Sequence, residues 1–117
     1  MDENVLAEMF EREPIINIQN AKISVEYVWI GGNGELRSKI RTIDGCFRNI
    51  NDHLKFKFPD WNYDGSSTGQ ASGGDSEVII KPRSSYISPF FKSNEKLQYF
   101  MVMCDTYYPN GKPLKNN

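Results

Sequence analysis

The chain has 117 residues, of which 38% are hydrophobic and 25% charged, and its formal net charge is −1. That length suits one domain, and the balanced charge gives no overall field that would attract nucleic acid or an anionic membrane. No run approaches the roughly 20 apolar residues that a membrane-spanning helix needs, and the first residues lack the basic and then apolar layout of a signal peptide.

The cysteine and histidine content argues against a disulfide scaffold and against a structural metal site. Cys46 and Cys104 are too few for such a scaffold, which makes the cytoplasm the expected location. Together with His53 they offer three soft ligands at spacings that fit no zinc motif, so no metal site is predicted. His53 is predicted to be a lone surface histidine rather than a catalytic base.

The first half of the chain predicts a short helix and a hairpin. Residues 2–12 have apolar side chains on one helical face and are followed by Pro14, which ends the predicted helix. Residues 23–30 alternate as a strand, with one apolar face made of Ile23, Val25, Tyr27 and Trp29. Residues 31–34, a run of Gly and Asn, are typical of a hairpin turn.

Residues 36–43 predict the second strand of that hairpin. Leu36 and Ile40 lie on one face, and Arg37, Lys39 and Arg41 lie on the other. This alternation is typical of an antiparallel pair with one solvated face. The three basic residues are therefore predicted to form the solvated face.

The second half predicts further strands separated by irregular segments. Residues 44–62 could form a short helix or an irregular packed segment, residues 64–75 a long loop, and residues 77–81 a strand that Pro82 ends or places at an edge. Residues 99–104 read as a buried strand, with Met101, Met103 and Cys104 in the core. Strands thus outnumber helices, and we expect an α+β fold with a small mixed sheet and one or two short helices.

The loop after Trp61 and Tyr63 contains the residues with the clearest chemical potential. Asp64 is followed by Gly65 and the hydroxyls of Ser66 and Ser67. A carboxylate flanked by hydroxyls suits a small cation that donates several hydrogen bonds, and it can accept a proton from that cation in a dry site. Composition alone favours a plainer interpretation, a turn within a solvated Ser/Thr loop.

Longer motifs support the chemical interpretation. The string YDGSS at residues 63–67, closed by DSE at 75–77, resembles the amino-terminal signature of glutamine synthetases, and WNYDGSSTGQ at 61–70 resembles the eukaryotic-type branch. The segments EYVWIGG at 26–32 with LRSK at 36–39, and VMCDTY at 102–107 with PNG at 109–111, resemble the first hairpin and the final strand of the same domain, in the same order.

The resemblance implies a β-grasp domain in an enzyme that joins ammonia to glutamate at the expense of ATP, through γ-glutamyl phosphate. In that family the active sites lie between neighbouring subunits of a homo-oligomeric ring, where this loop caps the catalytic domain of the next subunit. The resemblance implies that Asp64 binds ammonium and helps to deprotonate it, and that Ser67 lines the same pocket. Trp61 would lie at the mouth of the site, near nucleotide or substrate, or would instead anchor the loop against the sheet. The basic residues 37, 39 and 41 could alternatively contact the ring.

The expected domain division is an amino-terminal extension with a short helix at 1–22, the β-grasp domain at 23–106, and a linker at 107–117 towards a catalytic domain. In the family that domain holds ATP, glutamate and Mg²⁺ or Mn²⁺. This chain alone is therefore expected to be inactive and to bind neither ATP nor metal. Three interpretations stay open: part of a glutamine synthetase, a stand-alone protein that binds synthetase subunits and modulates the ring without catalysis, or an unrelated binding module on the same scaffold.

Overall fold

The computed structural model describes residues 15–66 and 76–115. The predicted helix at 2–12, Ser67 and most of the predicted 64–75 loop lie outside this part of the chain. The strands are β1 (Ile15–Ile16), β2 (Lys22–Ile30), β3 (Leu36–Asp44), β4 (Cys46–Phe47), β5 (Trp61–Asp64), β6 (Glu77–Ile87) and β7 (Leu97–Tyr107), with a 3₁₀ helix at Ile50–Lys55.

The main sheet has five strands in the order β3-β2-β7-β6-β5. Strands β2 and β7 pair in parallel at its centre, and the other pairs are antiparallel. The short strands β1 and β4 form a second, two-stranded sheet. The main sheet curls into a half-barrel around the core. This arrangement is a β-grasp and confirms the predicted α+β fold.

The concave face of the half-barrel carries the core. All four residues of the predicted apolar face of β2 are buried, which confirms that prediction. They pack in one cluster with side chains from the other strands and from the segment around the 3₁₀ helix, namely Phe47, Phe58, Ile80, Phe100 and Val102. Full burial of each such aliphatic or aromatic side chain contributes about 1.5–3 kcal/mol.

A buried glutamine connects the small sheet to the main one. The Gln98 side-chain amide donates to the Phe47 carbonyl at 3.0 Å, and its oxygen accepts from the Phe47 amide at 2.7 Å. The side chain therefore acts as a strand partner for Phe47 and satisfies two backbone groups that lie away from water. This contact fixes β4 against β7.

The turn between β2 and β3 is the predicted hairpin. The Gly31 amide donates to the Glu35 carbonyl at 2.7 Å, and the Gly34 amide donates to the Gly31 carbonyl at 3.0 Å. Gly34 has a φ of +81°, which glycine adopts at little cost. The turn sets the register of β3 against β2.

That register places the faces of β3 the opposite way to the prediction. Lys39 pairs with Tyr27 and Arg41 with Val25, so both basic side chains point to the concave face, where they are half-buried. Leu36 and Ile40 are 70% and 58% exposed on the outer face. The prediction of a solvated basic face is therefore wrong for Lys39 and Arg41, because directly paired residues share a face of the sheet.

Strands β6 and β7 extend beyond their predicted limits. Pro82 does not end β6 but lies beyond Ile80, the last β6 residue that pairs with β5, at a register shift between Pro82 and Ser84. A proline is tolerated where one side of a strand is an edge. The predicted strand at 99–104 is confirmed, and Cys104 packs against the core, but Met101 and Met103 are half-buried on the outer face.

The 3₁₀ helix reverses one prediction. His53 was expected at the surface but is only 5% exposed, whereas the neighbouring Leu54 is 72% exposed. The His53 ring lies 5.2 Å from the Phe100 ring, and its Nδ1 lies 2.7 Å from the Ser85 hydroxyl.

The segment after β7 folds back onto that strand. Leu114 is buried, and its amide donates to the Thr106 carbonyl at 3.0 Å. The predicted domain boundaries stay predictions. In the described ranges 15–66 and 76–115, no helix is long and apolar enough to cross a bilayer.

Candidate functional site

The residues of the predicted loop entry lie on a strand. Trp61–Asp64 is β5, which pairs antiparallel with β6, so that Trp61 faces Ile80 and Asp64 faces Glu77. Trp61 and Tyr63 are half-buried, whereas Asn62 and Asp64 are exposed. The sheet itself therefore presents Asp64, at the end of its outermost strand. The sequence prediction missed this strand.

Aromatic contacts fasten β5 to β2 across the half-barrel. The Trp61 and Tyr27 rings meet edge to face with centroids 5.3 Å apart, and the Tyr63 and Trp29 rings stack at 4.5 Å. The Tyr27 hydroxyl donates to the Pro59 carbonyl at 2.7 Å, two residues before β5. Burial raises the pKa of Tyr27 to about 12, so this hydroxyl stays protonated as a donor.

The Asp64 carboxylate is exposed and is held by the residues that follow it. Its Oδ1 accepts hydrogen bonds from the Ser66 amide at 3.0 Å and from the Ser66 hydroxyl at 2.7 Å. The Ser66 hydroxyl, then the Ser66 amide and then Ser76 lower the pKa of Asp64 below its ordinary value. Asp64 is therefore an anion at neutral pH, and in this environment it binds cations better than it accepts protons.

Asp64 lines a shallow, open depression of about 360 Å³. We refer to it as the Asp64 depression. Glu77 stands opposite Asp64 across the β5–β6 pair, so two carboxylates border the same space. The Asn62 amide donates to Glu77 Oε1 at 2.8 Å. The lining residues are Lys39, Asn62, Tyr63, Asp64, Ser76 and Glu77.

Lys39 belongs to this site although the sequence placed it on a solvated face. Its Nζ donates to the Asn62 carbonyl at 2.7 Å and lies 3.5 Å from the centroid of the Trp61 ring. The Arg41 guanidinium carbon lies 5.2 Å from the same centroid. Burial, and then the charge of Arg41, lower the pKa of Lys39. The signal that could have found Lys39 is its place opposite Tyr27 in the hairpin register.

The structure describes two of the three predicted site residues. Asp64 is exposed at the depression, Ser67 lies outside the described residues, and Trp61 packs beside the depression against Tyr27, Lys39 and Arg41. Their predicted roles in catalysis and substrate binding stay predictions. Within residues 15–66 and 76–115, no three His, Cys, Asp or Glu side chains come together as a candidate metal site.

Comparisons with known proteins identify the family to which the chain belongs. It is 52% identical over 97 residues to the glutamine synthetase nodule isozyme of Lupinus angustifolius, covering 82% of this chain and 28% of that protein. It is also 52% identical over 97 residues to glutamine synthetase cytosolic isozyme 2 of Vitis vinifera, covering 82% of this chain and 25% of that protein. A solved Plasmodium falciparum glutamine synthetase matches with a TM-score of 0.47 and 16% identity, over 95% of this chain and 19% of that one. No protein-family model matches the sequence.

The fold and site thus define a β-grasp domain that presents a carboxylate at the open end of its outermost strand. Since about half of the residues are identical over most of the chain, the protein belongs to the glutamine synthetase family and corresponds to its amino-terminal domain. The chain spans about a quarter of the length of these curated relatives.

Proposed function

We propose that this chain contributes the ammonium-binding side of a glutamine synthetase active site. In this proposal the enzyme is an ATP-dependent ligase that makes glutamine from glutamate and ammonia through γ-glutamyl phosphate. The exposed Asp64 carboxylate beside an open depression supports the proposal most directly. An anion held by its own loop, at the rim of a space that a second surface can cover, suits the capture of a small cation.

Asp64 would act in two stages. Ammonium cannot attack an acyl phosphate until it loses a proton, so the carboxylate must first hold it and then accept that proton. The lowered pKa of Asp64 favours the first stage. The second stage needs a drier site, because exclusion of water raises the cost of a carboxylate charge. We infer that the covering surface is the catalytic domain of a neighbouring subunit in a homo-oligomeric ring.

The remaining parts of the reaction fall to that catalytic domain. There ATP, glutamate and Mg²⁺ or Mn²⁺ would bind. Ser67 would line the ammonium pocket, and Trp61 would lie near its mouth. The name of the Vitis vinifera relative as a cytosolic isozyme supports a cytoplasmic location. Placing ammonium and acyl phosphate together in such a site is worth up to about 7–11 kcal/mol of barrier.

The test is to supply the chain with a separately produced glutamine synthetase catalytic domain and to measure glutamine formation. We expect activity to appear on mixing, and Asp64→Asn to lower kcat/KM for ammonium by about 10²–10⁴-fold. Asp60→Asn is the matched control, since Asp60 is exposed four residues earlier and lies outside the depression lining. It should retain the activity of the unmodified chain.

Two outcomes would contradict the proposal. Equal activities for Asp64→Asn and Asp60→Asn would mean that Asp64 has no specific role in binding or deprotonating ammonium. If the chain instead changed the assembly of intact synthetase rings without supporting turnover, it would be the stand-alone, non-catalytic modulator. Analytical ultracentrifugation of the chain mixed with intact synthetase rings measures the second outcome.

A further inference from the structure

We propose that Lys39 is a positioning residue for the ammonium site, which fixes the end of β5 by bridging it to β3. That Asp64 binds ammonium is taken from the proposed function, on which this inference rests. That Lys39 holds Asp64 in place is argued from the geometry of the sheet. Lys39 lies 25 residues before Asp64 in the sequence, yet both line the same depression.

The bridge spans the open side of the half-barrel. Strands β3 and β5 are the two outermost strands of the sheet, with β2, β7 and β6 between them. Curling of the sheet brings them together, so that Lys39 on β3 donates to the backbone carbonyl of Asn62 on β5 at 2.7 Å. Asn62 is two residues before Asp64. The lysine thus holds the strand that carries the carboxylate from the side opposite to β6.

The strand that it holds is short. Strand β5 has only four residues, and β6 is its neighbour in the sheet. A short edge strand frays easily because few ladder hydrogen bonds oppose its opening. The contact of Lys39 with the Trp61 ring, 3.5 Å from Nζ to the centroid, adds a second attachment on the same strand. One side chain therefore fixes both a carbonyl and a ring.

The charge of Lys39 suits this place. Asp64 and Glu77 face each other across β5 and β6, and like charges directly opposite destabilise a strand pair. Lys39 is a cation that lines the same depression as these two carboxylates. The charged groups around Lys39 are Asp64 and Glu77, which line the same depression, and Arg41, which lies on β3 with it.

The direct test measures amide hydrogen exchange by NMR in the ¹⁵N-labelled 117-residue chain. We expect Lys39→Met to speed exchange at the β5 amides about tenfold, because a hydrogen bond and a cation–π contact are lost together. Protection of the Phe100 and Val102 amides in β7 should not change. Lys39→Arg should restore most of the β5 protection. Lys92→Met, the same substitution at an exposed lysine remote from β5, is the matched control.

Either of two results would overturn the inference. Equal β5 exchange in Lys39→Met and Lys92→Met would mean that the bridge does not hold the strand. Loss of protection at β7 as well as at β5 would mean that Lys39 supports the whole sheet and not the end of one strand.

A kinetic experiment connects the bridge to the reaction. In the mixture with the catalytic domain, Lys39→Met should raise KM for ammonium about tenfold, leave KM for glutamate unchanged, and be rescued by Lys39→Arg. If Asp64→Asn abolishes activity but Lys39→Met leaves KM for ammonium unchanged, the positioning role is wrong and the proposed function stands. If Asp64→Asn has no effect, the proposed function fails, and the exchange data still decide whether Lys39 holds β5.

Discussion

The rings of Trp29 and Tyr63 stack with their centroids 4.5 Å apart and their planes at 23°. Trp29 is buried on β2, one of the two strands that pair in parallel within the sheet, and Tyr63 immediately precedes Asp64 on the edge strand β5. The stack therefore connects the rigid centre of the sheet to the residue that carries the candidate carboxylate. Placement of that carboxylate depends on core packing as well as on its own loop.

Removal of this stack should weaken the domain measurably. We expect Tyr63→Leu to lower the free energy of unfolding by about 1 kcal/mol more than Tyr86→Leu, because stacked aromatic pairs add about 0.5–1.5 kcal/mol beyond the area they bury. Tyr86 is a suitable control because it is 52% exposed on β6. Urea unfolding followed by circular dichroism measures both values. Equal losses would mean that the stack contributes nothing specific.

The hydrogen bonds from Ser66 should govern the titration of Asp64. The Ser66 hydroxyl stabilises the charged carboxylate, so Ser66→Ala should raise the pKa of Asp64 towards its ordinary value. The hydrogen bond from the backbone amide of residue 66 to Asp64 remains in this variant, so the pKa of Asp64 should return only part of the way to its ordinary value. An NMR titration of the Asp64 side-chain carbon measures the change. Ser88→Ala serves as the control, since Ser88 caps the Phe90 amide far from β5 along the chain; a pKa that stays fixed in both variants would contradict this account.

The sequence predicted the central elements of the fold because their signals are local. The alternation of Ile23, Val25, Tyr27 and Trp29 and the glycine turn after them identify β2 and the hairpin without any knowledge of tertiary structure. The same is true of β7, whose apolar run is continuous. Such patterns are fixed by the period of a strand, and the structure confirms them.

The candidate site was harder to predict because its contacts join distant parts of the chain. Nothing near Lys39 in the sequence indicates that the sheet curls far enough to bring this residue to Asn62 and Trp61. Strand β5 was missed because its four residues are too short for a periodic signal and are followed by Gly and Ser residues typical of a loop. Asp64 was found through its motif, and the strand that presents it was not.

His53 illustrates the same limit at a titratable group. A single histidine in a segment of mixed polarity is typical of a surface residue, and it is the packing of the 3₁₀ helix against β4 and β6 that buries His53. The ring lies against Phe100, and its Nδ1 lies 2.7 Å from the Ser85 hydroxyl. Burial lowers the pKa of His53 below its ordinary value of 6.5.

This burial should make the domain less stable in mild acid. As the pH falls through about 6.5, the unfolded chain binds a proton at His53 before the folded chain does, so the stability contributed by the neutral ring is present above that pH and is lost below it. His53 is the only histidine in the sequence, which makes the assignment direct. We expect the Tm of the unmodified chain to fall more between pH 7.5 and pH 5.5 than the Tm of His53→Gln, because glutamine keeps a polar partner for Ser85 and does not titrate. Thermal unfolding followed by circular dichroism at both pH values measures the two differences, and equal decreases would mean that the folded chain protonates His53 as readily as the unfolded chain does.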